Sequence, residues 1–160
     1  MKFKVSSGLN IEATACGNSS DPLVILLHGG GQTRYAWGGT AEKLSQSGFY
    51  ALAIDLRGHG DSDWSEDGDY AIESYREDLL SIIKQIGKPA SLIGASLGGM
   101  ISLSTAGDKL CQDYCNALVM VDIGIYPNED GSNEILKFMS SGSKGFESLE
   151  EASNAISCLL

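Results

Sequence analysis

The feature of this sequence that most constrains its fold is a series of four short runs rich in Val, Ile, Leu and Ala. The runs are "PLVILLHGGG", "FYALAIDLRGHG", "ASLIGAS" and "NALVMVDIGI", and none shows strict alternation of polar and apolar residues. A continuous apolar run of this length is typical of a strand buried on both faces of a parallel sheet. Because parallel neighbours need a crossover between them, the runs predict strands that are joined by helices.

The segments between the runs carry helical patterns. Residues 40–48 form the first predicted helix, and another is predicted to start just after Ser96. The segment between these two ends at Gly87 and places apolar residues at helical spacing, namely Tyr75, Leu79, Ile82, Ile83 and Ile86. Two short strands at residues 2–6 and 10–16 predict a hairpin before the first run. The whole pattern predicts an α/β fold, a mostly parallel sheet with helices on both faces.

The composition changes after Pro127, where the strand-like runs end and two helical stretches follow. Ser148 and Glu151 stand three residues apart at the start of the second stretch, which is the spacing of a capping box. We therefore expect a core domain over residues 1–126 and the beginning of a helical module over residues 127–160.

Composition and charge exclude several classes of function. The 160 residues hold 21 Asp and Glu against 11 Lys and Arg, a formal net charge of −10, and there is no basic stripe. We therefore expect no nucleic-acid partner. No apolar run reaches the roughly 18–20 residues that span a bilayer, and the N-terminus lacks the apolar core of a secretory signal. We expect a cytoplasmic protein without a membrane partner.

Metal and cofactor sites are not expected either. Four cysteines are too few and too scattered for a disulfide framework, and no histidine stands near the closest pair, Cys111 and Cys115. The glycine-rich segments match neither a P-loop nor a dinucleotide-binding fingerprint. We therefore expect reduced thiols and no cofactor.

The segment "SLIGASLGGM" places Ser96 between Gly94 and Gly98 in the pattern G-x-S-x-G. The bare pattern is weak, but here a predicted strand enters it and a predicted helix leaves it, which is the context that a nucleophile at a strand-to-helix turn requires. The turn is so sharp that flanking side chains would collide with backbone. Ser96 is therefore the candidate nucleophile.

The segment "HGGG", residues 28–31, ends the first apolar run. Acyl transfer needs two backbone N–H donors aimed at the developing oxyanion. Leu97, directly after the candidate nucleophile, is one candidate donor, and Gly30 or Gly31 is the other. Both loops follow strands of one predicted sheet, and ligands bind at the carboxyl ends of such strands, so we expect the two loops to meet.

Three motifs taken in order, "LLHGGGQTRYAW", "AIDLRGHGDSD" and "LIGASLGGM", resemble the α/β-hydrolase family, especially its bacterial esterase and haloperoxidase-like members. The resemblance implies that Ser96 is the nucleophile and that the amides of Leu97 and of Gly30 or Gly31 form the oxyanion hole. The tail "KGFESLEEASNAI" resembles the start of the helical cap of these enzymes. In the family the acid usually follows the seventh strand and the histidine the eighth, both after the serine. The resemblance therefore implies a sheet truncated before its last strands, with both the triad acid and the histidine expected outside residues 1–160.

The sequence does not identify which residue is the catalytic base for Ser96. The two histidines, His28 and His59, both precede Ser96. His59 and His28 are both secondary candidates for the base. The alternative interpretation is that His59 braces its loop by hydrogen bonds and that His28 holds the oxyanion loop in shape through its ring nitrogens. Asp122, at the end of "LVMVD", is either the triad acid or a polar residue that closes a strand.

Two classes of function are therefore considered. The first is a serine hydrolase that attacks an ester-like bond of a small-molecule substrate through an acyl-enzyme, with this chain a fragment that lacks the catalytic histidine. The second is a non-catalytic truncated product or a ligand-binding module with the same fold. No oligomeric state is predicted.

Overall fold

A computed structural model describes residues 1–125, 137, 140 and 145–157 of the chain. The chain divides into two compact units, Met1–Ile123 and Gly124–Leu160. The first unit contains a six-stranded sheet in the order β1-β2-β4-β3-β5-β6. Its strands are β1 (Lys2–Lys4), β2 (Asn10–Cys16), β3 (Leu23–Leu27), β4 (Tyr50–Ile54), β5 (Ala90–Ala95) and β6 (Cys115–Val121).

The predicted fold class is confirmed. Strands β4, β3, β5 and β6 run parallel, and β1 and β2 form an antiparallel hairpin that continues the sheet beside β4. The helices are α1 (Gly38–Gln46), α2 (Ile72–Ile86), α3 (Leu97–Gly107) and α4 (Leu149–Ser157). Short 3-10 turns cover Arg34–Trp37 and Gln112–Tyr114.

The core lies on both faces of the sheet, as the unalternating runs predict. All five residues of β3 are buried. Leu23, Ile25 and Leu27 pack into the cluster that also holds the apolar stripe of α2 and a residue of α3. Val24 and Leu26 point into a second cluster with residues of α1. Since successive strand side chains point to opposite faces, β3 must be apolar throughout.

Glycine ends the helices where the sequence predicts. Gly87 adopts a left-handed conformation with φ 78° and caps the C-terminus of α2, where its amide donates to Ile83 O. Gly48, with φ 82°, follows the end of α1. A residue without Cβ is the usual choice at such positions.

The order of the strands creates a topological switch point at the carboxyl ends of β3 and β5. From β3 the chain passes through α1 to β4 on one side, and from β4 it returns through α2 to β5 on the other side of β3. The loops that follow β3 and β5 therefore diverge from neighbouring strands, which is where open α/β sheets bind ligands.

The prediction that the fourth apolar run is buried on both faces is wrong for much of β6. Val119 is 47% exposed and Val121 is 39% exposed. The physical reason is position, because β6 pairs with β5 along one edge only, and the described residues provide no strand along its other edge. The strand also ends earlier than the run, at Val121.

The second unit contains α4. The Ser148 Oγ accepts a hydrogen bond from the Glu151 amide at 3.1 Å, which confirms the predicted cap. The Glu151 carboxylate bonds back to the amide of Glu147 at 2.7 Å, rather than to that of Ser148 as in a standard capping box. The first predicted helical stretch falls mostly outside the described residues, and the boundary between residues 126 and 127 stays a prediction.

Candidate active site

Ser96 occupies a strained backbone corner between β5 and α3. Its φ is 46° and its ψ is −112°, outside the regions that residues with a Cβ normally adopt. Such a conformation costs about 1–3 kcal/mol and persists only where the surroundings enforce it. Here β5 and α3 enforce it from either side.

The two glycines around Ser96 are required by close packing. A Cβ on Gly94 would lie 2.2 Å from the carbonyl oxygen of Gly98, and a Cβ on Gly98 would lie 2.3 Å from the carbonyl oxygen of Leu27. Both obstacles are backbone atoms, which cannot rotate away. Any side chain at these two positions would therefore collide with backbone, as the sequence predicts. This requirement explains the glycine spacing of the G-x-S-x-G pattern.

The glycine loop after β3 lies against this corner. The Gly98 amide donates to His28 O at 3.2 Å. A Cβ built on Gly29 would stand 3.5 Å from the Ser96 Cβ. The loop is a turn closed by a hydrogen bond from the Gln32 amide to Gly29 O, 3.1 Å. The predicted meeting of the two loops is thus observed.

The three amides of the glycine loop have different environments. The Gly29 amide donates to Gln32 Oε1 at 3.0 Å, and the Gly31 amide donates to His59 Nε2 at 3.2 Å. Within the described part of the chain, no group accepts a hydrogen bond from the Gly30 amide, and a Cβ there would meet no atom within 4 Å. Of the two loop candidates, Gly30 therefore has the open amide. Leu97 is the first residue of α3, where amides have no partner inside the helix.

Both histidines are engaged through both ring nitrogens. His28 Nε2 accepts from the Leu56 amide at 3.0 Å, and its Nδ1 donates to Gly29 O at 2.8 Å. His59 Nε2 accepts from Gly31, and its Nδ1 donates to Arg57 O at 3.0 Å. Because backbone amides only donate, each ring must be the neutral Nδ1–H tautomer.

Burial lowers the pKa of His28 from its ordinary 6.5, and the positive form of neighbouring His59 would lower it further. The hydrogen bond to Gly29 acts in the opposite direction. His28 is fully buried, and a buried imidazole is more stable uncharged. Both histidines therefore brace loops in this structure, and neither has a nitrogen free to face Ser96.

Asp122 directly follows β6 and shares an unusual feature with Ser96. Its φ is 53°, and these two are the positive-φ residues other than glycine among the described residues. The Ser96 amide donates to Val121 O at 3.2 Å, so the chain next to Asp122 contacts the nucleophile corner. The structure thus brings Ser96, Leu97, the glycine loop and the start of the segment after β6 to one end of the sheet.

A buried ion pair beside the glycine loop was not predicted from the sequence. Arg34, three residues after Gly31, pairs with Asp55 and with Asp61, the latter at 2.8 Å. Burial alone would lower the pKa of Arg34, but its hydrogen bonds to Asp61 and Asp55 raise it above the ordinary value. Asp55 is fully buried. The sequence signal was a carboxylate directly after an entirely apolar strand, a position that requires a charged partner.

Other features of the described residues lie apart from this site. A cavity of about 650 Å³ is lined by residues 7–9, Arg57 and part of the loop over residues 63–69, and none of the candidate residues lines it. Across the described ranges, no group of three His, Cys, Asp or Glu side chains is arranged to hold a metal ion. No helix among those ranges is both long and apolar enough for a membrane crossing.

Comparison with known proteins identifies the family. A sequence profile described as the alpha/beta hydrolase fold matches residues 22–147. The esterase Rv0045c of Mycobacterium tuberculosis is 38% identical over 114 residues, which cover 71% of this chain and 36% of that protein. Protein phosphatase methylesterase 1 of Homo sapiens is 32% identical over 139 residues, which cover 84% of this chain and 36% of that protein.

A solved structure supports the same assignment. An alpha/beta hydrolase from Novosphingobium aromaticivorans superposes with a TM-score of 0.76 at 28% identity, covering 84% of this chain and 47% of that one. The chain spans 36% of the length of each of the two curated relatives. The profile match includes the nucleophile corner and the glycine loop, and it extends over more than half of the chain. The chain belongs to the alpha/beta hydrolase fold family.

Proposed function

We propose that the complete protein hydrolyses an ester bond through an acyl-enzyme formed on Ser96. The observation that carries this proposal is the strained backbone of Ser96, with φ 46° and ψ −112°, packed against a glycine loop. Strain of this kind is retained where function needs it. The hydroxyl oxygen would attack the ester carbonyl carbon while the base takes its proton. The base would then give this proton to the departing alcohol, which leaves an acyl group on Ser96.

In this proposal the amides of Leu97 and Gly30 hold the oxyanion. The hydrogen bonding of the two loop amides favours Gly30 over Gly31. The Gly30 amide is open among the described residues, whereas the Gly31 amide already donates to His59. The N-terminus of α3 adds a favourable dipole at the same position. Each oxyanion donor contributes about 2.7–4 kcal/mol to the transition state.

We assign the triad acid to Asp122 and the base to a histidine outside residues 1–160. Support for Asp122 is its position directly after Val121, whose carbonyl accepts the Ser96 amide. Support for an outside base is that both ring nitrogens of His28 and of His59 are engaged by backbone groups. In this proposal the chain is part of a longer enzyme. Water activated by the outside histidine would attack the acyl group on Ser96 and release it as a carboxylic acid.

The proposed substrate is a small-molecule ester. One relative is named an esterase, which favours an ester substrate in general. Another is named a protein phosphatase methylesterase, so a methyl ester on a protein is the second candidate substrate. Both candidates use the same acyl chemistry at Ser96 and differ in the size of the leaving and acyl groups.

The test is hydrolysis of p-nitrophenyl esters by the complete polypeptide and two variants. Ser96→Ala should lose activity by several orders of magnitude, because no nucleophile replaces the hydroxyl. Ser104→Ala is the matched control, since Ser104 lies in the same helix but outside the proposed machinery. Retention of activity in Ser96→Ala would refute the proposal. Inactivity of the natural protein together with tight ester binding would favour the ligand-binding alternative.

A further inference from the structure

Gln32 is bonded to Gly29 through both its main chain and its side chain. Its backbone amide donates to Gly29 O at 3.1 Å, and its Oε1 accepts the Gly29 amide at 3.0 Å. The two bonds together restrain the side chain of Gln32 relative to the glycine loop. The carboxamide of Gln32 therefore has a defined place, although the residue is exposed.

The partner of Oε1 also decides which way the carboxamide points. A backbone amide can only donate, so the atom that faces Gly29 must be the oxygen of the Gln32 side chain. The other end is then the NH2 group at Nε2, which carries two N–H donors. Among the described residues, the bond to Gly29 is the one that this side chain makes. The two donors of Nε2 are thus left for a ligand or for water.

The carboxamide lies beside the nucleophile corner. A Cβ built on Gly29 would stand 3.2 Å from Gln32 Oε1, 3.6 Å from Gln32 Cδ and 3.5 Å from the Ser96 Cβ. The carboxamide and the Ser96 side chain therefore flank one methyl-sized position, which Gly29 does not fill because it has no Cβ. An ester bound at Ser96 would bring the atoms next to its carbonyl close to the carboxamide.

The other donors of the glycine loop are already used. The Gly29 amide donates to Gln32, and the Gly31 amide donates to His59. The Gly30 amide is assigned above to the oxyanion. Within residues 29–32, the Nε2 group is therefore the side-chain donor that neither the fold nor the proposed oxyanion hole employs.

We propose that Gln32 is a specificity-determining residue, whose Nε2 donates a hydrogen bond to a substrate oxygen within a few bonds of the ester carbonyl. The inference rests on the proposed function and names its substrate class, esters with an ether or carbonyl oxygen beside the reacting group. The preference over aliphatic esters is modest, because water can satisfy an exposed Nε2 when an aliphatic ester binds. A net hydrogen bond of this kind is worth about 2- to 10-fold.

The test compares two pairs of esters that match in shape, with the complete polypeptide as the enzyme. p-Nitrophenyl methoxyacetate and p-nitrophenyl butyrate differ by one ether oxygen in the acyl part. 2-Methoxyethyl butyrate and butyl butyrate differ in the same way in the alcohol part. The ratio of kcat/KM within each pair is compared among variants, because this comparison cancels the intrinsic reactivity of the esters.

Two variants separate the Nε2 donors from the bond to Gly29. Gln32→Glu keeps an oxygen for the Gly29 amide and replaces the donors by an acceptor, and Gln32→Met removes both groups. We expect the ratio to fall by about 2- to 10-fold in Gln32→Met for at least one pair, and further in Gln32→Glu, where two acceptors would face each other. Gln46→Glu, at an exposed glutamine of α1, is the matched control and should keep the ratio. A ratio that stays unchanged in Gln32→Met for both pairs would overturn the inference.

A binding measurement decides the inference without turnover. In the ¹⁵N-labelled Ser96→Ala variant, 2-methoxyethyl methoxyacetate should shift the NMR signals of the Gln32 side-chain amide more than butyl butyrate does. Equal shifts with the two esters, or no binding of either, would overturn the inference. Failure of the proposed function shows separately, as turnover that persists in Ser96→Ala or is absent from the natural protein.

Discussion

The amide of Ser96 donates a hydrogen bond to the carbonyl oxygen of Val121 across 3.2 Å. This bond joins the end of β5 to the end of β6 at the residue where each strand leaves the sheet. The residue that follows each strand has a positive φ, 46° at Ser96 after β5 and 53° at Asp122 after β6. The bond therefore holds the candidate nucleophile and the candidate acid at the same end of two paired strands.

Asp122→Asn tests whether this carboxylate is the triad acid. Asparagine tolerates positive φ as well as aspartate does, so the substitution removes the charge without straining the backbone. We expect kcat for ester hydrolysis by the complete polypeptide to fall by about 10³–10⁴-fold, since the base would lose the group that orients it. Asp113→Asn, at an exposed aspartate before β6, is the control and should keep its activity. A fully active Asp122→Asn would assign the acid elsewhere.

Gly98→Ala tests the close approach of α3 to β3. The added methyl group would lie 2.3 Å from the backbone oxygen of Leu27, so one of the two elements must shift. We expect a loss of about 1–3 kcal/mol in the free energy of unfolding, or more, measured by urea denaturation. Gly39→Ala is the matched control because a Cβ there meets nothing within 4 Å.

Gly39 lies inside α1, where alanine is favoured over glycine by up to about 1 kcal/mol. The control should therefore be neutral or more stable than the natural protein. Equal effects of the two substitutions would show that packing at Gly98 is looser than the structure indicates.

His28 should make the stability of the protein depend on pH. Burial lowers its pKa in the folded state below the ordinary 6.5. As the pH falls through 6.5, the unfolded chain takes up a proton that the folded chain resists. The free energy of unfolding should therefore be highest above this pH and should decrease below it.

The direct measurement is an NMR titration of the His28 ring, supported by urea unfolding at several pH values. The predicted midpoint for His28 lies below 6.5. A midpoint at or above that value would contradict the buried, neutral state described for this residue.

The isolated 160-residue chain should show at most trace hydrolysis. Its two histidines are occupied by backbone hydrogen bonds, so neither is free to act as the base for Ser96, and we expect only the residual effect of an oxyanion hole. Stopped-flow measurement with a p-nitrophenyl ester checks this prediction. A full acyl burst from the isolated chain would mean that His28 or His59 leaves its partners and acts as the base.

Much of the fold could be predicted because burial leaves a direct trace in a parallel strand. The five apolar residues of β3 are all buried, as a strand covered on both faces requires. The same reasoning misled at β6, where composition resembles that of β3 but Val119 and Val121 are exposed. An apolar run shows that a strand is suited to burial on both faces. It does not show whether neighbouring strands and helices are present to cover those faces.

The candidate site was predictable where glycine spacing reflects local sterics. Gly94 and Gly98 are needed by contacts within a few residues of Ser96 or with the adjacent strand. The choice between the Gly30 and Gly31 amides was not predictable, because it depends on a hydrogen bond to His59, 28 residues further along the chain. The pairing of Arg34 with Asp55 was not predictable either, because the two residues lie 21 positions apart and meet only in the folded chain.

The most direct measurement of the central claim is active-site labelling of the complete polypeptide. A fluorophosphonate, which forms a stable covalent bond to an activated serine, would be followed by peptide mapping with mass spectrometry. The proposed function predicts stoichiometric labelling on the peptide that contains Ser96, abolished in Ser96→Ala and retained in Ser104→Ala. Label on another residue, or ester turnover by a protein whose Ser96 stays unlabelled, would contradict it.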